Sequence, residues 1–413
     1  MRSSGLDRPL LAAVGLLAVF GLLMVYSAGQ TEVPSVARNA WQRQLVWAGL
    51  AVMAGAVAFR INFRLLEWAA PGVYALGMLL LVLLLFIGTG SGTAAASKSW
   101  LTIAGYRLGQ PVELAKLGTI LILARYLSSL REPPRTLRGL VQPCLMVAAP
   151  VLLVMAQPDL GSAIVFVGIL FAMLFWAGVS PRLLLLLASP LISLILAGST
   201  GWWGAWMILL FLLLLLWRTY LAEGVFIYVV NSAMGVLAIL LWNQLKDYQR
   251  QRLITFLNPY SDPAHAGYQA IQSKVAVGSG GLFGNGFLDG PQKRLAFLPE
   301  QYTDFIFAVV GEELGFAGVT VALGLFLVLF FVLLRIARRA TDPFSSLVVF
   351  GVLGVLFTHL FENVGMTINL MPITGIPLPL FSYGGSFMLA TGIGLGLAFR
   401  VAWDSRLAGY ADT

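Results

Sequence analysis

The sequence predicts an all-α fold, a polytopic integral membrane helical bundle of about twelve transmembrane helices with one large extracytoplasmic loop. Three observations predict it. Only 11% of the 413 residues are charged and 59% are hydrophobic, against about 25% charged in a soluble domain. Mean hydropathy is +0.87, and Leu, Val and Phe runs repeatedly reach membrane-spanning length. The arginines gather at alternate connections between those runs, as the positive-inside rule requires.

The elements follow in chain order. Hydrophobic segments lie near 8–28, 42–59, 68–88, 111–130, 139–156, 160–179, 182–198, 203–218, 224–243, 306–335, 343–363 and 378–402. Gln157-Pro158-Asp159 and Ser180-Pro181 are tight breaks, because proline cannot continue the preceding helix's hydrogen bonds. The first segment ends on Ser27-Ala28-Gly29, which resembles a signal-peptide cleavage site. It is read as a retained helix, being long and followed by eleven more spans. With the N-terminus inside, the inner loops hold Arg2, Arg8, Arg60, Arg64, Arg131, Arg135, Arg138, Arg182, Arg218, Arg335, Arg338, Arg339, Arg400 and Arg406. The short outer connections hold only Arg38, Lys98 and Arg107. Both termini are therefore expected in the cytoplasm. The net charge of +8 is assigned to helix ends facing anionic lipid, and nucleic acid is excluded as a partner. A single cysteine, Cys144, excludes an intrachain disulfide. With His265 and His359 it leaves too few ligands for a zinc site of the usual kind.

The connection over about 244–305 falls outside and is by far the longest. Long loops in compact proteins are usually functional. This one carries Lys246-Asp247-Tyr248-Gln249-Arg250-Gln251-Arg252, then Asn258-Pro259-Tyr260-Ser261-Asp262-Pro263, and later Gly278-Ser279-Gly280-Gly281. Short helices lying on the membrane are expected in it. The glycine run lacks the Gly-Lys-Ser/Thr ending of a phosphate loop and follows no strand, so turn chemistry is its default reading. Ser382-Tyr383-Gly384-Gly385-Ser386 is similar, at a helix mouth where glycines permit close packing or a broken helix.

Ionisable groups inside a membrane cost about 2.5–3.5 kcal/mol at a helix centre, so they pair or line a cavity. Glu113 and Lys116 share one helical face. They form either an ion pair at the interface or the lining of a polar cavity that opens outward. Asp159 follows Pro158 and either caps the sixth span or faces such a cavity. Glu312 and Glu313 are adjacent, so at most one points to any cavity, with Asp304 beside them. Glu362 and Asn363 end the eleventh span at the outer surface. Asp262 is the best single candidate for catalysis. It is a loop acid held extended by Pro263, with Lys246, Arg250, Arg252 and Lys274 near in sequence. Glycosyl transfer from a diphosphate donor needs such a set. The carboxylate takes a proton from the attacking hydroxyl, and cations or a divalent metal, Mg or Mn, neutralise the departing diphosphate. A simple turn aspartate is the competing reading.

The chain resembles the SEDS family of shape, elongation, division and sporulation proteins. The resemblance rests on Asp247–Arg252, Asp262-Pro263, Gly267-Tyr268-Gln269, Gln272-Ser273-Lys274, Gly278–Leu282, Phe297–Glu300, Thr303–Ala308 and Glu312–Gly315. Further blocks are Gln110-Pro111 with Glu113 and Lys116, Gln157–Gly161, Asn363–Met366, Leu370-Met371-Pro372, Gly375–Pro379 and Ser382–Ser386. These ordered motifs cover nearly the whole chain apart from part of 182–223. They look like the elongation branch more than the division branch. Two departures stand out. Ser97-Lys98-Ser99-Trp100 lacks an arginine usual in that outer loop; Lys98 supplies charge but no bidentate grip. The family usually has one span over 182–243, where three are counted, so a pair over about 182–223 is read as inserted.

The resemblance implies a peptidoglycan glycosyltransferase that polymerises lipid II into β-1,4 glycan strands during cell elongation and shape maintenance. It implies the bacterial plasma membrane, a class B penicillin-binding protein as partner, the elongation machinery and surrounding membrane lipids. The family's essential loop acid falls on Asp262, its Glu/Lys pair on Glu113 and Lys116, and its membrane aspartate on Asp159. Lys116, Arg250 and Lys274 are the diphosphate candidates, in that order, and Lys98 and Ser382 complete the candidate substrate-binding set. A lipid II flippase or a scaffold that activates the penicillin-binding protein are the rival readings. A transporter should spread polar groups across the midplane, whereas here they gather at the outer loop and outer span ends.

Overall fold

The computed structural model describes residues 6–32, 36–90, 99–103, 106–217, 221–244, 250, 254–263 and 267–411. Among the described residues nine long helices precede the large loop: α1 (Arg8–Gly29), α2 (Ala40–Arg60), α3 (Phe63–Ile87), α4 (Pro111–Ser129), α5 (Leu137–Ala156), α6 (Leu160–Trp176), α7 (Pro181–Leu196), α8 (Thr200–Leu216) and α9 (Leu221–Gln244). Helix α10 (Tyr268–Ser279) lies within the loop, and α11 (Ile306–Arg338), α12 (Pro343–Thr367) and α13 (Gly385–Ala411) follow it. Among the described residues seven helices are long and apolar enough to cross a membrane, and α6, α7 and α8 are shorter apolar helices. A small antiparallel hairpin, β1 (Leu101–Ile103) with β2 (Tyr106–Gly109), precedes α4.

Local chemistry sets the helix ends. Asp7, Asp159, Ser180 and Asp342 each accept a hydrogen bond from a first-turn amide of α1, α6, α7 and α12, satisfying donors the helix cannot. Between apolar helices in lipid, close backbone approach replaces the hydrophobic drive. Helices α2 and α13 meet in this way through Ala51 and Gly55 on one side and Gly392 and Gly396 on the other. A Cβ on Gly396 would lie 2.3 Å from the Gly55 carbonyl oxygen. Gly77 of α3 also packs closely on Ala115 of α4, which draws α4 into the middle of the bundle. Most of one face of α4 is buried, Glu113 and Lys116 included. Large apolar side chains such as Val52, Trp68 and Phe86 point outward, as a lipid-facing surface requires.

The expected last segment, 378–402, is divided differently. Helix α13 starts only at Gly385. Leu378, Leu380 and Phe381 are buried in the bundle in non-helical conformation, with Leu380 at φ 63°. Their hydrophobicity belongs to the core and not to a span. Helices α7, α8 and α9 hold a second, smaller core of Leu186, Trp206, Met207, Leu210, Leu214 and Ile227. Asn231 is buried there and donates to the Ser189 hydroxyl at 2.9 Å.

Candidate active site

The first part of the site is a buried polar cluster where α4 meets α12. Pro111 opens α4, so Glu113 and Lys116 fall in its first two turns on one face. The Lys116 ammonium donates to Glu113 Oε1 at 2.8 Å, and both side chains are almost fully buried. It also lies 3.1 Å from Nε2 of His359 on α12. Nδ1 of the same ring is 3.1 Å from the Pro377 carbonyl oxygen, and the ring stacks on Phe387 with centroids 4.2 Å apart. One helical turn on, Glu362 is buried and Oε1 has no hydrogen-bond partner among the described residues. A crevice of about 20 Å³ beside Glu113 and Lys116 is also lined by Phe387 and Thr391, room for about one water molecule.

The second part is the Asp262 turn. Asn258 Oδ1 accepts from the Tyr260 amide and the 3-10 turn Pro259–Ser261 ends at Asp262. The Asp262 carbonyl accepts from the Gly267 amide at 2.8 Å. A side chain at Gly267 would strike the Pro259 carbonyl, so the turn closes only with glycine. Asp262 is half-buried. The surrounding loop is tied to the end of α12, because Ser273 donates to the Thr367 carbonyl at 2.7 Å and Asn369 to the Phe256 carbonyl at 3.2 Å. His359 lies eight residues before Thr367 on that helix, about 12 Å along its axis. One rigid element therefore carries both the anchor of the Asp262 loop and the contact to Lys116.

The third part holds the loop against the bundle. Helix α11 is broken at Gly315, which has φ 62° and ψ −161°. The glycine run fills the break. Asn285 and Gly286 amides donate to the Glu312 and Glu313 carbonyls, and the Phe316 and Ala317 amides donate to the Gly281 and Leu282 carbonyls. Backbone groups freed inside a spanning helix must find such partners. Both glutamates are buried, and neither serves a cavity. Glu312 accepts from the Gln292 and Lys293 amides at the helical turn Pro291–Arg294. Glu313 pairs with Lys293 at 2.9 Å, both fully buried, and accepts from the Ser27 hydroxyl of α1.

The remaining expected residues divide sharply. Asp159 Oδ1 accepts from the Ser162 amide at 3.0 Å, the capping geometry, and the carboxylate is also in electrostatic range of Glu362. Arg250 Nε donates to the Trp242 carbonyl at 2.9 Å at the end of α9. Lys274 is exposed on α10. The Ser382 hydroxyl is buried, donating to the Thr303 carbonyl and accepting from the Leu378 amide. Lys98 lies outside the described residues. Glu362 and Asn363, expected to end their span at the outer surface, are wholly buried in the bundle. Helix α12 continues past them to Thr367, and Asn363 Nδ2 bridges the Asp304 and Ile376 carbonyls. Sequence reasoning missed His359 and Lys293. Each meets its partner only through tertiary packing, and a single histidine or lysine carries no local signature.

Among known proteins, the profile of the FtsW/RodA/SpoVE family, described as cell cycle proteins, matches residues 8–202 and 200–407. The chain is 34% identical to the peptidoglycan glycosyltransferase RodA of Treponema pallidum, over 96% of this chain and 98% of that one. It is 35% identical to the peptidoglycan glycosyltransferase MrdB of Escherichia coli K12, over 96% and 93%. It superposes with TM-score 0.73 and 29% identity on a chain solved in a study of polymerisation and crosslinking by a peptidoglycan synthase complex, covering 97% and 98%. It superposes with TM-score 0.63 and 27% identity on the rod shape determining protein RodA of Thermus thermophilus, covering 97% of each.

Proposed function

The chain belongs to the FtsW/RodA/SpoVE family of cell cycle proteins, and on that premise we propose that it is a peptidoglycan glycosyltransferase that polymerises lipid II in the bacterial plasma membrane. The observation that carries the reading is the full-length match to proteins named for that activity, joined to a buried Lys116 and a loop Asp262 anchored on one helix. Among the described residues twelve long helices, nine of them before the large loop, support an extracytoplasmic loop over 244–305 and cytoplasmic termini, because an odd number of crossings carries the chain to the opposite side. Helices α7 and α8 are the inserted pair; their separate core with α9 supports this.

Lipid II carries its sugar in α linkage to a diphosphate, and the product is β-1,4 linked. A single inverting displacement suffices. The acceptor's 4-hydroxyl oxygen attacks the donor C1, the C1–O bond to undecaprenyl diphosphate breaks, and the hydroxyl proton passes to the Asp262 carboxylate. Lys116 is the principal cation for the departing diphosphate, held in place by Glu113. Arg250 and Lys274 are nearer the loop surface and secondary. Among the described residues no three acid, histidine or cysteine side chains converge on a metal position. The described residues thus make no complete cage, and no step here is routed through a metal. A class B penicillin-binding protein is the partner that would cross-link the strands.

The test is polymerisation of labelled lipid II by the purified protein with that partner and a divalent cation. Asp262→Ala should abolish strand synthesis while the protein stays folded and partner-bound. Near-normal strands from that variant would sink the base assignment. If neither protein makes strands where a control polymerase does, a lipid-flipping assay tests the rival activity.

A further inference from the structure

His359 is buried, touches no other part of the proposed chemistry, and faces the one cation in the cluster. Its hydrogen bonds define its state. The Pro377 carbonyl can only accept, so the proton sits on Nδ1. Nε2 then presents a lone pair, and the Lys116 ammonium donates to it. The stacked Phe387 ring fixes the plane in which that lone pair points. Glu113 takes a second Lys116 proton, which leaves one N–H of the three for a ligand. A competitor stands close by. Glu362 lies three residues from His359, on the same face of α12, and its Oε1 is buried without a partner among the described residues.

We propose that His359 is a positioning residue: as a neutral acceptor it holds the Lys116 ammonium between Glu113 and the crevice, away from Glu362, so that its third N–H meets the leaving diphosphate. This rests on Lys116 being the diphosphate cation. An apolar side chain at 359 removes the acceptor, and the buried ammonium, left one partner short, then swings to the Glu362 carboxyl, whose Oε1 has no hydrogen-bond partner among the described residues. Glutamine keeps the function, because its carbonyl oxygen reaches the region where Nε2 sits.

The experiment compares Lys116→Ala, His359→Leu, His359→Gln and the double variant His359→Leu/Glu362→Gln in the lipid II assay with the partner bound. Each protein is also followed by thermal unfolding in detergent. The expected result is a loss of tenfold or more in kcat for His359→Leu, with KM for lipid II changed less than threefold. His359→Gln should return kcat to within about threefold of wild type, and removing the Glu362 charge should restore part of the loss. If His359→Leu keeps wild-type kcat while Lys116→Ala is dead, the positioning role is wrong and the Lys116 assignment stands. If Lys116→Ala is itself active, the assignment of Lys116 fails and the proposal falls with it. If His359→Leu and His359→Gln lose melting temperature and activity together, the residue is only structural and the proposal is overturned.

Discussion

At the scale of single residues, charge in this protein is managed by enclosure. Asp304 lies just before α11, with its carbonyl bound by Asn363. Burial pushes its carboxyl up to about 7, Glu300's charge adds to the rise, and a hydrogen bond from Thr303 opposes it. The folded state therefore retains a proton that the unfolded chain releases. A raised acid stabilises the fold at low pH and loses that contribution as pH rises from about 4 through about 7. Asp304→Asn is neutral at every pH and removes this dependence. Between pH 5 and 7 its melting temperature in detergent should fall less steeply than wild type's, and above pH 7 the variant should be the more stable; parallel curves would disprove the assignment. Glu113 and Lys116 were legible at this scale, because a spacing of three on an apolar helix is a local pattern. His359 was not, since its partner Lys116 lies 243 positions away in the chain.

At the scale of elements, the loop is fastened by features that look unremarkable in sequence. The glycine run reads as flexible turn, yet it plugs the break in α11. Gly284 has φ 80°, and a Cβ there would lie 2.0 Å from the Glu313 carbonyl oxygen. Gly284→Ala should therefore lower the melting temperature and strand synthesis together, as backbone must shift in both the loop and the helix. The Lys293–Glu313 pair gives a sharper test. Removing one partner of a buried pair leaves a charge uncompensated and typically costs about 3–5 kcal/mol, whereas an apolar pair of similar volume is often neutral. Lys293→Met should be strongly destabilised in thermal unfolding, and Lys293→Met/Glu313→Leu should recover most of the loss. Equal destabilisation in both would show that the carboxylate is not the penalty. The helices themselves were legible wherever an apolar run had nowhere to go but lipid. The run at 378–384 was misread because Leu378 and Phe381 are buried in the bundle, and hydropathy does not distinguish burial in protein from burial in lipid.

At the scale of the whole molecule, the two ends of the bundle differ in chemistry. One end gathers Arg8, Arg60, Arg64, Arg131, Arg135, Arg138, Arg182, Arg335, Arg338, Arg339, Arg400 and Arg406 at helix ends or short connections. There Asp7 is buried between Arg335 at 2.8 Å and Arg406 at 2.6 Å, joining the first, eleventh and last helices. The other end carries the hairpin, the Asp262 turn and α10. Arginines in short connections resist translocation, so the first end should be cytoplasmic and the second should face outward, where lipid-linked sugars are joined. In a Cys144→Ser background, a single cysteine at Lys274 on exposed α10 should react with a membrane-impermeant maleimide in intact spheroplasts. Cysteines at exposed Arg131 or Arg406 should react only after the membrane is opened. The reverse pattern would place Asp262 in the cytoplasm and remove the polymerase reading, because its acceptor strand grows outside. Labelling at both ends before permeabilisation would show leaky cells, which a cytoplasmic control enzyme detects. The outcome thus tests one property, the sidedness of the loop, on which every role given to Asp262 depends.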